Sequence, residues 1–152
     1  MKAFGIRRAL PAETEALSEI AFASKRFWGY PDEWMDVWRP VLIVRPGSIQ
    51  QHPTYVAHDR EQLIGFYQLL LTNPAELEHL WVLPEWIGHR VGQQLYWHAC
   101  QIGKEHGLSS FRIHADPNAY GFYQKMGADV LGYEESSVFG HPRRLPVLEM
   151  KL

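Results

Sequence analysis

The order of apolar and polar positions divides the chain into strand-like and helix-like stretches that follow one another with short connections. Residues 4–9 alternate as a short strand. Pro11 then stands where a first helical turn tolerates proline. Leu17, Ile20, Ala21, Ser24, Phe27 and Trp28 continue as one face, which predicts a helix over about residues 12–27. Trp28, Gly29, Tyr30 and Pro31 end it. A second, shorter helix is predicted over 32–39, with Asp32 as its cap and Pro40 as its stop. Arg45-Pro46-Gly47-Ser48 reads as a loop, after which 55–58 and 63–71 form two strands of a hairpin joined by 59–62.

The central stretch is 76–107. Residues 76–83 make a strand bounded by Asn73-Pro74 and Pro84, and a turn through Ile87-Gly88-His89-Arg90-Val91-Gly92 leads into a helix. Val91, Leu95, Ala99 and Ile102 form its inner face; Lys104 and His106 occupy its last turn, and Gly107 is placed for a left-handed C-terminal residue. Residues 111–115 alternate as the next strand. Strand, helix, strand in that order implies a parallel pair with a right-handed crossover. A short helix starting at Pro117 or Asn118 follows, with Ala119, Phe122, Tyr123 and Met126 on one face and Gly127 at its end. Two last strands, 130–138 and 146–151, flank the segment 140–144. The expectation is one α/β (α+β) domain over residues 1–152.

A strand that turns through glycine into a helix aims unpaired backbone N–H groups and the positive end of the helix dipole at one spot, which suits a phosphate or pyrophosphate. Such turns also occur without any ligand. The segment is neither a Walker loop nor a dinucleotide fingerprint, because Gly-Lys-Ser/Thr and Gly-x-Gly-x-x-Gly are both absent. Composition narrows the partners. With 15 Lys and Arg against 17 Asp and Glu and no basic run, nucleic acid is not expected. No stretch nears the roughly 20 apolar residues of a membrane helix. The single cysteine, Cys100, excludes an internal disulfide and fits a reducing compartment, so the chain is expected in the cytoplasm. Its eight histidines are scattered without metal-site spacing, and no metal is expected.

The segment Asn118-Ala119-x-x-Phe122-Tyr123-x-Lys125-x-Gly127 resembles motif B of the GNAT superfamily of acyl-CoA-dependent N-acyltransferases, with Ala128 in place of the usual phenylalanine. Val82, Pro84, Gly88 and Gly92 resemble motif A of the same family, whereas Ile87 stands at its Gln/Arg position and Arg90 at its middle glycine. The element order is also that of the family. Ser24-Lys25 with Trp28-Gly29-Tyr30, and Gly140 with Leu145-Pro146, look like a bacterial subgroup of it. The resemblance implies a mixed, mostly antiparallel sheet with a splayed parallel central pair and about four flanking helices. It implies acetyl-CoA as acyl donor and a primary amine, on a small molecule, amino-acid derivative or peptide, as acceptor.

Carried onto this chain, the resemblance assigns cofactor binding to Leu80, Trp81 and Val82 on the strand and to Ile87, Gly88, His89, Arg90, Val91, Gly92 and Gln93 in the turn. Asn118, Phe122 and Tyr123 join them from motif B. Tyr123 matches the family tyrosine that protonates the departing thiolate; from the residues alone it is equally a core aromatic. Glu78, then Glu76, fall where family members place a general base. Two apart on a strand they share a face, with Leu77, His79 and Trp81 on the other unless a bulge near Trp81 changes the parity. Plain rim carboxylates would look the same.

Trp28, Tyr30 and Trp34 are the candidate acceptor-binding residues. With Trp38, Asp32, Glu33 and Asp36 they either pack the helix pair on the sheet or form an aromatic and acidic wall for a cationic ligand. The loop 136–144 would border the same cleft. The reading leaves room for a homodimer, and a non-catalytic CoA-binding or interaction module is the alternative to an enzyme.

Overall fold

The computed structural model describes residues 3–152. Seven strands form one sheet: β1 (Gly5–Arg8), β2 (Thr54–Asp59), β3 (Gln62–Leu70), β4 (Glu76–Val82), β5 (Ser110–His114), β6 (Asp129–Val138) and β7 (His141–Lys151). Their spatial order is β1-β2-β3-β4-β5-β7-β6, antiparallel throughout except for the parallel pair β4 and β5. Five helices accompany them: α1 (Thr14–Arg26), α2 (Asp32–Leu42), α3 (Pro46–Gln51), α4 (Val91–Glu105) and α5 (Tyr120–Lys125). No helix among the described residues is long and apolar enough to cross a membrane.

Apolar side chains on both faces of the sheet explain the layering. Leu95, Ala99 and Ile102 of α4 join Ile64, Leu69, Leu77, Phe111 and Ile113 in one cluster. Leu17, Ile20 and Ala21 of α1 and Met35 of α2 join Val56 and Phe66 in another on the opposite face. β3 lies between the two, so its residues 64–69 are buried without the polar alternation of a half-exposed strand. Each large side chain buried this way contributes about 1.5–3 kcal/mol.

Three local outcomes differ from the sequence pattern. Residues 46–48, expected in a loop, open α3 (Pro46–Gln51), with Pro46 in its first turn and Ile49 buried underneath. α2 runs through Pro40 to Leu42, because a proline so near the C-terminal end disturbs only the last turn. Residues 141–144 belong to β7, which pairs with β6 up to Val138↔His141. The connection is a two-residue turn, Phe139-Gly140, with both φ angles positive, the geometry that matches strand twist.

β4 carries an irregularity with functional reach. Leu69 pairs with Leu77 and Gln68 with His79, so Glu78 is the extra residue of a β-bulge. Leu77 packs into the α4 cluster, while His79 stacks on Phe66 and Trp81 packs into the α1 cluster. The expected grouping of Leu77, His79 and Trp81 on one face is therefore corrected: the parity changes at Glu78 rather than near Trp81. At Gly65, opposite Val82, an added Cβ would lie 2.8 Å from the Trp81 carbonyl oxygen and 3.2 Å from Leu95 Cδ1. Gly65→Ala is expected to cost about 1–3 kcal/mol, read as a lower urea midpoint with unchanged m. An unchanged midpoint would mean that β3 and β4 tolerate wider separation.

Candidate active site

β4 and β5 meet at a single register pair, Glu76↔Arg112, closed by the Arg112 N–H to the Ala75 carbonyl at 2.9 Å. Beyond it the strands splay, leaving the β5-facing edge of β4 without a strand partner on this side, and the gap opens into a cleft of about 490 Å³. Leu77, Glu78, Leu80, Trp81 and Val82 line it from β4, and Ile113 and His114 from β5. α1 contributes Ser24 and Lys25, followed by Phe27 and Trp28; Asp116, Asn118, Ala119, Phe122 and Tyr123 close the far wall.

One end is the turn into α4. Gly88 (φ +88°) and Arg90 (φ +64°) are both left-handed, which swings the chain from the Pro84–Trp86 3₁₀ turn into the helix. No side chain caps α4 and its first turn holds no acidic residue. Helix geometry leaves the N–H groups of residues 91–93 without acceptors inside the helix, and these residues line the cleft. Gly92 faces Val82 and Phe122, each 3.7 Å from where a Cβ would sit. Uncapped donors, a helix dipole and the Arg90 guanidinium fit a pyrophosphate here.

Arg90 carries a backbone cost that a glycine would not, because L-residues in the left-handed region lose about 1–2 kcal/mol. Arg90→Gly is expected to raise the melting temperature of the unliganded protein while weakening the binding of a pyrophosphate-bearing probe such as CoA several-fold. The pair of effects is read by thermal unfolding and titration; weaker binding without stabilisation would show that the conformation is unstrained.

The carboxylates occupy different settings. Glu76 faces His114 Nε2 at 3.5 Å, and His114 Nδ1 faces Glu134 at 3.0 Å, so Glu76 belongs to a row of polar groups beside the cleft and does not line it. Glu78 does line it and keeps contact with solvent. Packing around its carboxylate, then the nearby charge of Glu76, raise its pKa, against a smaller lowering by His114. Tyr123 is buried at the apolar end of the site among Tyr96 and Phe122, and desolvation raises its phenol pKa well above the ordinary value.

Of the other residues assigned from the sequence, Leu80, Trp81, Val82, Ile87, Gly88, Arg90, Val91, Gly92, Gln93, Asn118 and Phe122 line the cleft. His89 does not; its ring packs against Trp86 instead. Trp28 lines the cleft, whereas Tyr30 and Trp34 stand behind its wall. Tyr30 stacks on Trp34 and meets Trp38 edge-on. Two of the rings meet the chain's own cations: Lys25 Nζ lies 4.0 Å from Trp38 and 5.9 Å from Tyr30, and the Arg143 guanidinium 4.6 Å and 5.2 Å from the same rings. Asp32, Glu33 and Asp36 point to solvent. Lys25, Asp116, Arg143 and His114 are the residues near the cleft that periodicity did not single out, since each is remote in sequence from its partners.

His79 orients one wall. The Trp81 indole N–H donates to its Nδ1 at 3.0 Å, an acceptor present only in the neutral ring, and burial lowers the ring's pKa to about 4 from 6.5. The unfolded chain takes up this proton first as pH falls. Stability is therefore complete above about pH 6.5 and falls by about 1.4 kcal/mol per pH unit towards pH 4. Urea unfolding at several pH values should give a shallower slope for His79→Gln than for the wild type; equal slopes would contradict the burial argument.

The residues 14–128 match the model of the acetyltransferase (GNAT) family. The chain belongs to that family. It is 31% identical over 79 residues to the protein YyaT of Bacillus subtilis (strain 168), an alignment covering 52% of this chain and 53% of YyaT, so about half the length of that relative is matched. A GCN5-related N-acetyltransferase structure from Rhodopseudomonas palustris, described as aminotransferase, class-II, superposes with a TM-score of 0.82 at 21% identity, covering 100% of this chain and 98% of that one. The PaiA N-acetyltransferase of Thermoplasma acidophilum, solved with coenzyme A, gives 0.74 at 24% identity over 99% and 100%. At these identities the structures establish the shared fold. This GNAT domain is an acetyltransferase domain.

Proposed function

We propose that the protein is an N-acetyltransferase that moves the acetyl group of acetyl-CoA to a primary amine. One observation carries the reading: a single cleft joins the unpaired edge of β4, the uncapped start of α4, Glu78 and Tyr123. Bound acetyl-CoA supplies the acetyl group as a thioester, which the amine attacks directly.

The chain's residues divide the work. N–H groups of residues 91–93 and the Arg90 side chain hold the pyrophosphate, and the free edge of β4 offers backbone donors and acceptors to the pantetheine. A lysine-like amine of pKa about 10.4 reaches its neutral form at pH 7 at a cost of about 4–5 kcal/mol, so a proton acceptor is needed. Glu78 serves as that base. Desolvation and Glu76 make it more basic than an ordinary carboxylate while solvent contact leaves it a route to pass the proton on. Glu76 acts through Glu78's charge and through His114. Tyr123, held protonated by burial, offers its O–H to the sulfur as the thiolate leaves.

Calorimetric titration with acetyl-CoA, beside ATP as control, followed by an amine-dependent thiol-release assay, tests the reading. Selective binding with release supports it; selective binding without release for any amine would leave a CoA-binding module. Glu78→Gln is expected to lower kcat/KM by about 100-fold, with the loss larger below neutral pH, where the amine is harder to deprotonate. Tyr123→Phe is expected to lower kcat by a similar factor with little change in acetyl-CoA affinity. Full activity in the Glu76→Gln, Glu78→Gln double variant would remove the base from the mechanism.

A further inference from the structure

A buried polar knot closes the acceptor side of the cleft. Asp116 accepts from the Asn118 N–H at 2.8 Å, Asn118 Nδ2 at 3.0 Å and the Tyr30 hydroxyl at 3.0 and 3.1 Å, with Arg143 Nη2 3.5 Å away. Arg143 Nη2 also donates to the Tyr30 hydroxyl at 2.9 Å. Both oxygens of Asp116 are thus engaged before Lys25 is counted. Lys25 Nζ forms a longer ion pair with Asp116 Oδ2, at 3.7 Å, and lies over the Trp38 ring at 4.0 Å and the Tyr30 ring at 5.9 Å.

The charges do not balance. Lys25 and Arg143, with side chains only 13% and 10% exposed, face one carboxylate that is itself 6% exposed. Burial lowers the Lys25 pKa; the charge and hydrogen bonding of Asp116 raise it, and the charge of Arg143 lowers it. A sheltered ammonium that shares its one carboxylate with a second cation gains from a further anion on the open side of the cleft. Arg143 is held behind the wall, so Lys25 is the cation of this pair that lines the cleft. Phe27, Trp28, Leu80, Trp81 and Glu78 line the same cleft.

We propose that Lys25 binds a carboxylate of the acceptor, so that the acceptor is an apolar amino acid presenting its amine to Glu78 and its carboxylate to Lys25. The reaction rests on the acetyl-transfer reading above; the binding step does not. A simple amine or an amino-acid amide would leave Lys25 and Arg143 sharing the one carboxylate of Asp116, whereas a carboxylate balances the two cations.

The test uses the full chain saturated with CoA and matched sets built on phenylalanine and leucine: the free amino acid, its amide and its decarboxylated amine. Binding is followed by tryptophan fluorescence and calorimetry. The free acid is expected to bind about 10- to 100-fold more tightly than the amide, the range of one charged hydrogen bond. Lys25→Met and Lys25→Gln should each erase that preference and Lys25→Arg should keep part of it, with far-UV circular dichroism confirming folding. In turnover with acetyl-CoA the same preference should appear chiefly in KM. Equal binding of acid and amide, no binding of either, or a preference that survives both neutral substitutions would overturn the proposal. A carboxylate preference in binding without thiol release would uphold the site and sink the acetyl-transfer reading instead.

Discussion

One backbone rung holds the two halves of this sheet together at its middle. Glu76 and Arg112 pair, and from there β4 and β5 diverge. Every backbone N–H and C=O along a splayed edge lacks the partner a continuous sheet would give it, so the gap is a linear array of unsatisfied donors and acceptors inside an otherwise packed domain. The fold tolerates this because the gap is bridged elsewhere. The α4 cluster spans β3, β4, β5 and β7 on one face. On the other, the knot of Tyr30, Asp116 and Arg143 ties the segment after α1 to the end of β5 and to β7. The cleft persists because side chains fasten its rims, not because its strands fasten each other.

Within that gap the bulge at Glu78 decides which side chains meet. By reversing the parity of β4 it sends Leu77 to the α4 core and His79 to the opposite core, and leaves Glu78 at the cleft with solvent contact. The order Glu-Leu-Glu-His is thereby split into one carboxylate for the cleft, one for His114 and one neutral imidazole that orients Trp81.

The sequence made much of this legible where the signal is periodic or local. The inner face of α4, the strand on either side of it and the left-handed Gly107 follow from spacing alone, and the motif resemblance brought Tyr123, Gly92 and Val82 together before any coordinates. Two kinds of feature escaped. α3 is six residues long, too short for a helical period to register against Pro46 and Gly47. The knot joins positions 25, 30, 116 and 143, and nothing local in the chain tells a lysine next to a helix end that its counterpart lies some ninety residues on. The same limit left the aromatic segment 28–38 readable either as packing or as a ligand wall, since the cations over Trp38 and Tyr30 come from outside it.

The two ends of the cleft consequently answer differently to sequence drift. At the α4 end the donors that line the cleft are main-chain groups, so Ile87 and Arg90 can stand in the turn without removing one. At the opposite end Lys25, Tyr30 and Arg143, from three separate segments, share the carboxylate of Asp116, so changing any of the four alone disturbs the rest. Change in that wall should therefore proceed by concerted replacement at positions 25, 30, 116 and 143, while the turn into α4 can drift one residue at a time.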